Sequence, residues 1–261
     1  MTGAIGGLAV KAADVAYQEV QRRREKRVSV EEFVQTQLDP LLKAADELVG
    51  KVYSLASEDF KTIPRALDPQ DRRTHENLNL ANVLYLFAQF WATVEILRRE
   101  SIYVRLAESP SGKKLTSFLD CLESRPVRMV VRARQRALGE LLIVADREKL
   151  RPMGFSEFVT ALAGTTDLGE WLGPLEDLVI RAKHGSRSAR QATIQRLLQY
   201  ALVVHALVDN LDPGHTTTST RPPMTSKISP RTAKALRYRV FPVYLPFVEQ
   251  SQRYWRHQSG K

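Results

Sequence analysis

The side chains best suited to chemistry are carboxylates and arginines that recur at helical spacing in two separate segments. If these segments pack as helices, a carboxylate on one can meet a guanidinium on the other, because buried charges must be paired. Glu95 would then contact an arginine of the second helix, and Glu140 would contact Arg98 or Arg99. This polar cluster consists of Glu95, Arg98, Arg99, Gln135, Arg136 and Glu140.

The polar cluster has two interpretations. In the first, it is an ionic lock that fixes the register of two packed helices. In the second, Arg99 or Arg136 binds an anion and a neighbouring carboxylate acts as a base, since perturbed ionisable groups gather at functional sites. Structural ion-pair networks perturb such groups equally, so the residue pattern favours the lock and assigns no catalytic residue.

A second group of residues with recognisable chemistry lies in the C-terminal segment 214–261. It holds three lysines and six arginines against one acid, Glu249, a net charge of +8 out of +10 for the whole chain. Such a basic segment usually meets an acidic partner: nucleic acid, an anionic membrane surface or an acidic protein. The predicted contact residues are Arg231, Lys234, Arg237, Tyr238, Arg239, Arg253, Trp255 and Arg256.

Three interpretations of this segment stay open. Its aromatic side chains could stack on bases while the cations neutralise phosphates. They could equally sit at lipid headgroups, with the cations facing anionic lipid. Alternatively, the aromatic stretch 241–247 folds back onto the rest of the chain and leaves the charges in solvent, because it is too apolar to stay exposed.

The known catalytic and metal-binding patterns are missing from the sequence. It contains no His-Glu-x-x-His, Gly-x-Ser-x-Gly or Cys-x-x-Cys motif. Gly112-Lys113-Lys114 resembles part of a phosphate-binding loop, but Ala107 stands where that loop needs its first glycine. The five histidines are scattered, with His205 expected in the core, and Cys121 is expected to be a buried apolar residue. We therefore expect no metal, no cofactor and a non-enzymatic role.

Helical periodicity runs through nearly every segment that must position these residues. Residues 76–106 carry a broad apolar arc and predict a central helix touched on several sides. Residues 109–112 predict a turn. A second helix is predicted from Pro126, and a last strong one over 188–211, ended by Asp212-Pro213-Gly214. The sequence thus predicts an all-α, irregular helical bundle of about six to eight helices with a basic, partly extended C-terminal tail.

Composition divides the chain into three parts. Residues 1–28 predict an N-terminal basic helix, in which an apolar run (3–10) precedes the basic block 21–27. That helix either frays in solvent or contacts a membrane interface, and its apolar run is too short to span a bilayer. Residues 29–213 form the predicted helical bundle, and residues 214–261 a Thr/Ser/Pro linker followed by the basic aromatic extension.

The chain resembles an all-helical family of bacterial, chiefly actinobacterial, proteins of unknown function. The resemblance rests on Leu84-Tyr85-Leu86-Phe87-Ala88-Gln89-Phe90-Trp91 with Val94-Glu95-Ile96-Leu97-Arg98-Arg99-Glu100, on Gln135-Arg136-Ala137-Leu138-Gly139-Glu140-Leu141, and on Leu207-Val208-Asp209-Asn210-Leu211-Asp212-Pro213. It covers roughly residues 30–213. Members of that family often carry a membrane span before the helical body, and residues 3–10 depart from that pattern. The family implies no activity.

These observations lead to one functional hypothesis with two alternatives. The first is a non-enzymatic helical interaction protein, cytoplasmic and peripheral to the inner, anionic face of the membrane. The alternatives are a nucleic-acid-binding protein that uses the basic aromatic tail, and a small-anion-binding protein or enzyme that uses the Glu/Arg cluster. An acidic protein partner and a homo-oligomer stay open as well.

Overall fold

The structure is a computed structural model, and it describes residues 38–68, 74–99, 109–146, 149–164 and 166–256. The chain divides into two compact units, Met1–Leu38 and Asp39–Lys261, and all the described residues except Leu38 belong to the second. The predicted N-terminal basic helix (1–28) lies outside the described residues, so it stays a prediction.

The second unit is an all-α, irregular helical bundle, as the sequence predicts. Its helices are α1 (residues 38–57), α2 (His75–Arg99), α3 (Pro110–Glu123), α4 (Arg132–Leu141), α5 (Phe155–Gly164), α6 (Thr166–His184), α7 (Arg187–Leu211), α8 (Pro230–Ala235) and α9 (Phe241–Tyr244). A π-helical turn, Leu236–Val240, joins α8 to α9, and short 3₁₀ turns occupy Thr225–Lys227 and Ser251–Tyr254.

Helix α2 is the central helix of the bundle. Seventeen of its 25 residues are buried, including the polar Glu95 and Thr93, because other helices cover it on nearly every side. Within the described part of the chain it is the one helix long and apolar enough to cross a membrane, yet 83% of its most apolar window is buried inside the protein. That burial is typical of the core helix of a globular fold.

Helix α4 crosses α2 at very close range, and a glycine makes this approach feasible. A Cβ atom added to Gly139 would lie 2.7 Å from the backbone oxygen of Trp91 and 3.0 Å from Cγ of Glu95. The two segments that carry the polar cluster therefore do pack together, as the sequence analysis required. Only a residue without a side chain permits this helix spacing.

Helix α6 contains a proline, Pro174, in its interior. Pro174 has no N–H to donate to the carbonyl of Glu170, four residues before it. Nη1 of Arg134, on α4, donates to that carbonyl at 3.0 Å and to the Trp171 carbonyl at 3.3 Å. The same guanidinium lies over the Trp171 ring. A side chain from a neighbouring helix thus satisfies the backbone that the proline leaves open.

A β-hairpin between α4 and α5 was not expected from the sequence. Strands β1 (Ile143–Asp146) and β2 (Lys149–Pro152) pair antiparallel, with Ile143 opposite Pro152 and Asp146 opposite Lys149. Each strand has four residues and is at most half-buried, so it shows no apolar alternation that a sequence reading could detect. The Tyr85 hydroxyl donates to the carbonyl of Met153 and ties the end of the hairpin to α2.

Two helix starts differ from their predicted positions. Helix α4 begins at Arg132 and not at Pro126, because residues 125–131 turn before the helix starts. The predicted turn at Ser109-Pro110 is in fact the start of α3. The Ser109 hydroxyl accepts a hydrogen bond from the N–H of Gly112, and Pro110 occupies the first helical position.

Candidate functional sites

The carboxylate of Glu123, at the end of α3, is contacted by three arginines from two other helices. Arg98 of α2 donates to Oε1 at 2.6 Å, Arg136 of α4 donates to both oxygens at 3.2 and 2.9 Å, and Arg132 lies 2.6 Å from Oε2. The Glu123 side chain is only 5% exposed and that of Arg98 14%. One buried carboxylate therefore fixes three helices relative to one another.

The sequence predicts that Glu95 contacts an arginine of α4, but in the structure it does not. It pairs with Arg98 on its own helix, three residues further on. Arg136, the α4 arginine of the polar cluster, pairs with Glu123 instead. The cross-helix bridge expected of Glu95 is thus formed by Glu123, which the sequence analysis did not include. Arg98 connects the two carboxylates.

Arg99 and Glu140 do form the predicted cross-helix pair, at 3.3 Å. Their side chains are 48% and 52% exposed, so this pair belongs to the protein surface. Exposed ion pairs contribute about 0–1 kcal/mol to stability. The polar cluster therefore divides into a buried centre around Glu123 and a solvent-exposed pair above it.

Gln135 borders a small cavity beside this centre. Its side chain is buried, and its Oε1 atom has no hydrogen-bond partner within the described structure. The cavity is also lined by Trp91, Glu95 and Glu123, and its volume is about 10 Å³. This volume admits about one water molecule and no larger ligand.

Electrostatics around Glu123 favour the paired, ionised state. Burial alone would raise the pKa of Glu123, but the hydrogen bonds and charges of Arg136 and Arg98 outweigh it and lower the pKa below its ordinary value. A carboxylate that is ionised at neutral pH and bonded to three guanidiniums has no proton to give and accepts none readily. The geometry therefore supports the lock interpretation of the polar cluster.

The C-terminal extension folds back onto the bundle over residues 230–256. Its apolar side chains alternate with charged ones, and the buried members are Leu236, Val240, Phe241, Leu245, Val248 and Tyr254. Phe247 packs edge-on against Phe118 of α3, and Tyr254 stacks on Phe241. Of the three interpretations left open for this segment, folding back is the one that the structure shows for Phe241, Phe247 and Tyr254.

The π-helical turn keeps the apolar residues of the extension on one side. Pro242 cannot donate to the carbonyl of Tyr238, and the N–H of Phe241 donates to Leu236, five residues back, in place of the usual four. The wider turn suits the four-residue spacing of Thr232, Leu236 and Val240, all of which are buried. The charged residues between them are left to face solvent.

A buried polar network on α7 anchors the end of the extension. The Tyr254 hydroxyl donates to Oδ2 of Asp209 at 2.6 Å, and Arg253 lies 3.6 Å from the same oxygen. His205 is a core histidine, as expected. Its Nδ1 lies 3.1 Å from the Tyr53 hydroxyl of α1, and its Nε2 lies 3.5 Å from Asp209. Burial would raise the pKa of Asp209, but the neighbouring His205 and the hydrogen bond from Tyr254 lower it.

The segment predicted to be a linker is also attached to the bundle. Asp212, just after α7, accepts bonds from the N–H groups of Thr216, Thr217 and Thr218 and from two of their hydroxyls. Although burial would raise the pKa of Asp212, these bonds lower it to about 2. Two residues of this predicted linker, Thr225 and Ile228, are buried.

The outer side of the extension forms what we call the basic surface. It comprises five exposed cations and two exposed apolar side chains: Arg231, Lys234, Arg237, Arg239, Arg256, Tyr238 and Val243. Tyr238 is 55% and Val243 63% exposed. None of the five cations forms an ion pair with a carboxylate in the described part of the chain, whereas Arg253 is bound to Asp209 and Arg221 to Asp46.

The predicted tail contact residues thus separate into three groups. Arg231, Lys234, Arg237, Tyr238, Arg239 and Arg256 lie on the basic surface, while Arg253 serves the Asp209 network. Trp255 is half-buried, and the Arg237 guanidinium lies 5.0 Å from its ring centre and 4.8 Å from that of Tyr238. One face of each aromatic ring is therefore already occupied by an arginine of the same segment.

Metal coordination finds no support in the described ranges, which contain no group of three His, Cys, Asp or Glu side chains placed to hold an ion. Cys121 is free and buried, and burial raises the pKa of its thiol. Comparisons with protein-family models, curated proteins and solved structures gave no match for this chain. The class that fold and sites define is an all-α helical bundle with an ionic lock and a basic surface.

Proposed function

We propose that this protein is a non-enzymatic interaction protein that docks on an anionic membrane surface through its basic surface. The observation that carries the proposal is the two-sided extension over residues 230–256. One side is buried against the bundle, and the other holds five cations without carboxylate partners in the described chain, beside the exposed Tyr238 and Val243. Cations together with exposed apolar side chains are what peripheral membrane contacts use.

The expected strength of such a contact follows from the charges. Each lysine or arginine near an anionic bilayer contributes about 1 kcal/mol, so five contribute about 5 kcal/mol at low salt. Insertion of Val243 and the ring of Tyr238 adds a smaller apolar contribution. The sum describes reversible binding, in keeping with a peripheral protein of the inner, cytoplasmic leaflet, where anionic lipids are concentrated.

Two features favour a membrane over nucleic acid as the partner. Arg237 covers one face of both Tyr238 and Trp255, which reduces the aromatic surface open to bases. Val243, the most exposed large apolar residue among those described, follows Pro242 and has no counterpart in phosphate recognition. An apolar side chain that projects beside cations is instead suited to the boundary between headgroups and acyl chains.

The test is co-sedimentation with vesicles of phosphatidylcholine containing phosphatidylserine, at low and high salt. The variant Lys234→Gln/Arg239→Gln/Arg256→Gln removes three of the five cations. We expect it to weaken binding by about 3 kcal/mol, which is roughly 100-fold. The matched control, Lys61→Gln/Lys113→Gln/Lys149→Gln, removes the same charge from exposed positions elsewhere and should bind like the parent protein.

A second variant separates the apolar contribution from the electrostatic one. Val243→Ser keeps every charge and should weaken vesicle binding several-fold at high salt, where the electrostatic part is screened. Equal loss in the two triple variants would show that only net charge matters and would overturn the proposal. A different result would identify nucleic acid as the partner in place of the membrane. The parent protein would then bind no vesicles but would bind nucleic acid in a salt-sensitive way, and only the first triple variant would lose that binding.

A further inference from the structure

A groove distinct from the polar cluster runs between helices α7 and α8. Its volume is about 520 Å³, which lies within the range of small-molecule sites. The lining residues are polar or small, and none is acidic: Ser188, Gln191, Ala192, Gln195, Arg196, Gln199, Ser229, Arg231, Thr232 and Ala235. Two guanidiniums therefore face this groove without a carboxylate among the residues that line it.

Arg196 is held in place by a backbone group and not by an acid. Its Nε and Nη2 donate to the carbonyl of Arg128 at 3.1 and 2.7 Å, which fixes the guanidinium at the groove wall. Desolvation and the positive charges of Arg128 and Arg181 lower the pKa of Arg196. Positive charge is thus concentrated around Arg196, and a bound anion would reduce the repulsion between Arg196 and these two arginines.

Hydrogen bonds hold two glutamines of the groove wall in place. Gln195 donates to the Lys227 carbonyl at 2.9 Å and accepts from the N–H of Ser229 at 2.6 Å, so it clamps the start of α8 to α7. Gln199 donates to the Pro126 carbonyl at 2.9 Å. One turn before Gln195, Gln191 is exposed and lines the same face of α7. A site whose walls are already fixed loses little entropy to ordering when a ligand binds.

We propose that this groove binds a phosphomonoester group between Arg196 and Arg231, with the Gln191 amide as a further donor. A phosphomonoester is close to a dianion at neutral pH, and guanidinium forks match its oxygens better than ammonium groups do. The same group is carried by soluble metabolites and by lipid headgroups such as that of phosphatidic acid. The site does not require the membrane proposal, because a soluble phosphomonoester would fill it equally well.

The test is titration calorimetry of the full chain with inorganic phosphate and with glycerol 3-phosphate. Arg231→Gln removes one guanidinium, and Gln191→Glu places a carboxylate in the groove; both residues are exposed. We expect each change to weaken binding at least 10-fold, on the order of one good charge-assisted contact. Arg190→Gln, an exposed arginine of the same helix outside the groove, is the matched control and should leave binding nearly unchanged.

A vesicle arm distinguishes the source of the phosphate. Vesicles with phosphatidic acid present the phosphomonoester, and vesicles of equal charge with phosphatidylserine do not. If a lipid headgroup occupies the groove, Gln191→Glu should weaken binding to phosphatidic acid vesicles and not to phosphatidylserine vesicles. If a soluble ligand occupies it, Gln191→Glu should weaken only the binding of glycerol 3-phosphate. Either result supports the site. No binding by any phosphate probe, or equal weakening by Arg190→Gln, would overturn it.

The same experiment separates this site from the proposed function. The triple variant Lys234→Gln/Arg239→Gln/Arg256→Gln leaves the groove intact, so it should bind glycerol 3-phosphate like the parent chain while losing phosphatidylserine vesicles. Conversely, the Gln191→Glu variant should bind glycerol 3-phosphate much more weakly and keep most of its binding to phosphatidylserine vesicles. Arg231 belongs to both the basic surface and the groove, so these two variants, which leave Arg231 unchanged, are the ones that separate the two proposals.

Discussion

Replacing Glu123 by glutamine is the perturbation that most directly tests the ionic lock. The substitution keeps the size of the side chain but removes the charge that Arg98, Arg132 and Arg136 share. Arg98 is the most enclosed of the three, and breaking a buried pair by removing one partner costs about 3–5 kcal/mol. Glu95 still neutralises Arg98 in part, so we expect about 3–4 kcal/mol.

The matched control is Glu140→Gln. It removes the same carboxylate chemistry from the exposed pair with Arg99, where the cost should stay below about 1 kcal/mol. Urea unfolding followed by circular dichroism measures both variants. With an m-value of about 3 kcal/mol per molar urea, Glu123→Gln should lower the midpoint by about 1 M and Glu140→Gln by less than about 0.3 M.

The pH dependence of the same two proteins gives an independent check. The folded-state pKa of Glu123 is lowered, so its stabilising contribution is present above the unfolded-state pKa and is lost as the pH falls through the folded-state value. The parent chain should therefore lose stability relative to Glu123→Gln on acidification below about pH 4. Similar midpoints for the two substitutions, or an unchanged difference between parent and variant across this range, would refute the lock.

Two further predictions concern backbone approach and the linker. Gly139→Ala should destabilise the protein by about 1–3 kcal/mol in urea unfolding, although alanine is the better helix former, because its Cβ would press on the Trp91 carbonyl. Stability equal to or above the parent would contradict the close packing of α2 and α4. Asp212→Asn should cost about 2 kcal/mol at neutral pH, and the difference from the parent should vanish between about pH 4 and pH 2, since the folded-state pKa of Asp212 is about 2. Acid titration of thermal melting temperatures measures this; a parallel pH profile for both proteins would argue against the threonine-bound carboxylate.

Helical periodicity is sufficient to predict the central helix, because an apolar arc that wide must be covered on several sides. Helical spacing likewise predicts the pair Arg99–Glu140, which requires only that α2 and α4 pack. Glu123 could not be found in this way, since no basic residue stands three or four positions from it in the sequence. The one available signal was charge balance: residues 125–136 hold five arginines and no acid, and Glu123 is the nearest carboxylate before them.

The composition of the predicted linker does not show how this segment is attached to the bundle, and the reason is physical. A run of threonine and serine has little to bury, and so resembles a flexible connection. The structure shows the run bonded to Asp212, whose carboxylate takes five hydrogen bonds from the three threonines. An acid that precedes a turn and a threonine cluster is a recognisable local motif, because such side chains bond the backbone a few residues on. The β-hairpin carried no comparable signal.

The attachment of the extension determines how its charge can act. A flexible tail with a net charge of +8 would bind any polyanion, but would have to order itself on each partner and would lose binding energy to that ordering. Here Asp212, Asp209 and the buried face that includes Leu236 and Val240 fix the segment before a partner arrives. The free energy of folding thus offsets the entropy lost when the extension is ordered. The basic surface and the groove beside Arg196 are therefore held in place by the contacts between the extension and the bundle. If the proposed function holds, a preformed arrangement of this kind would select partners by the spacing of their negative charges as well as by their number.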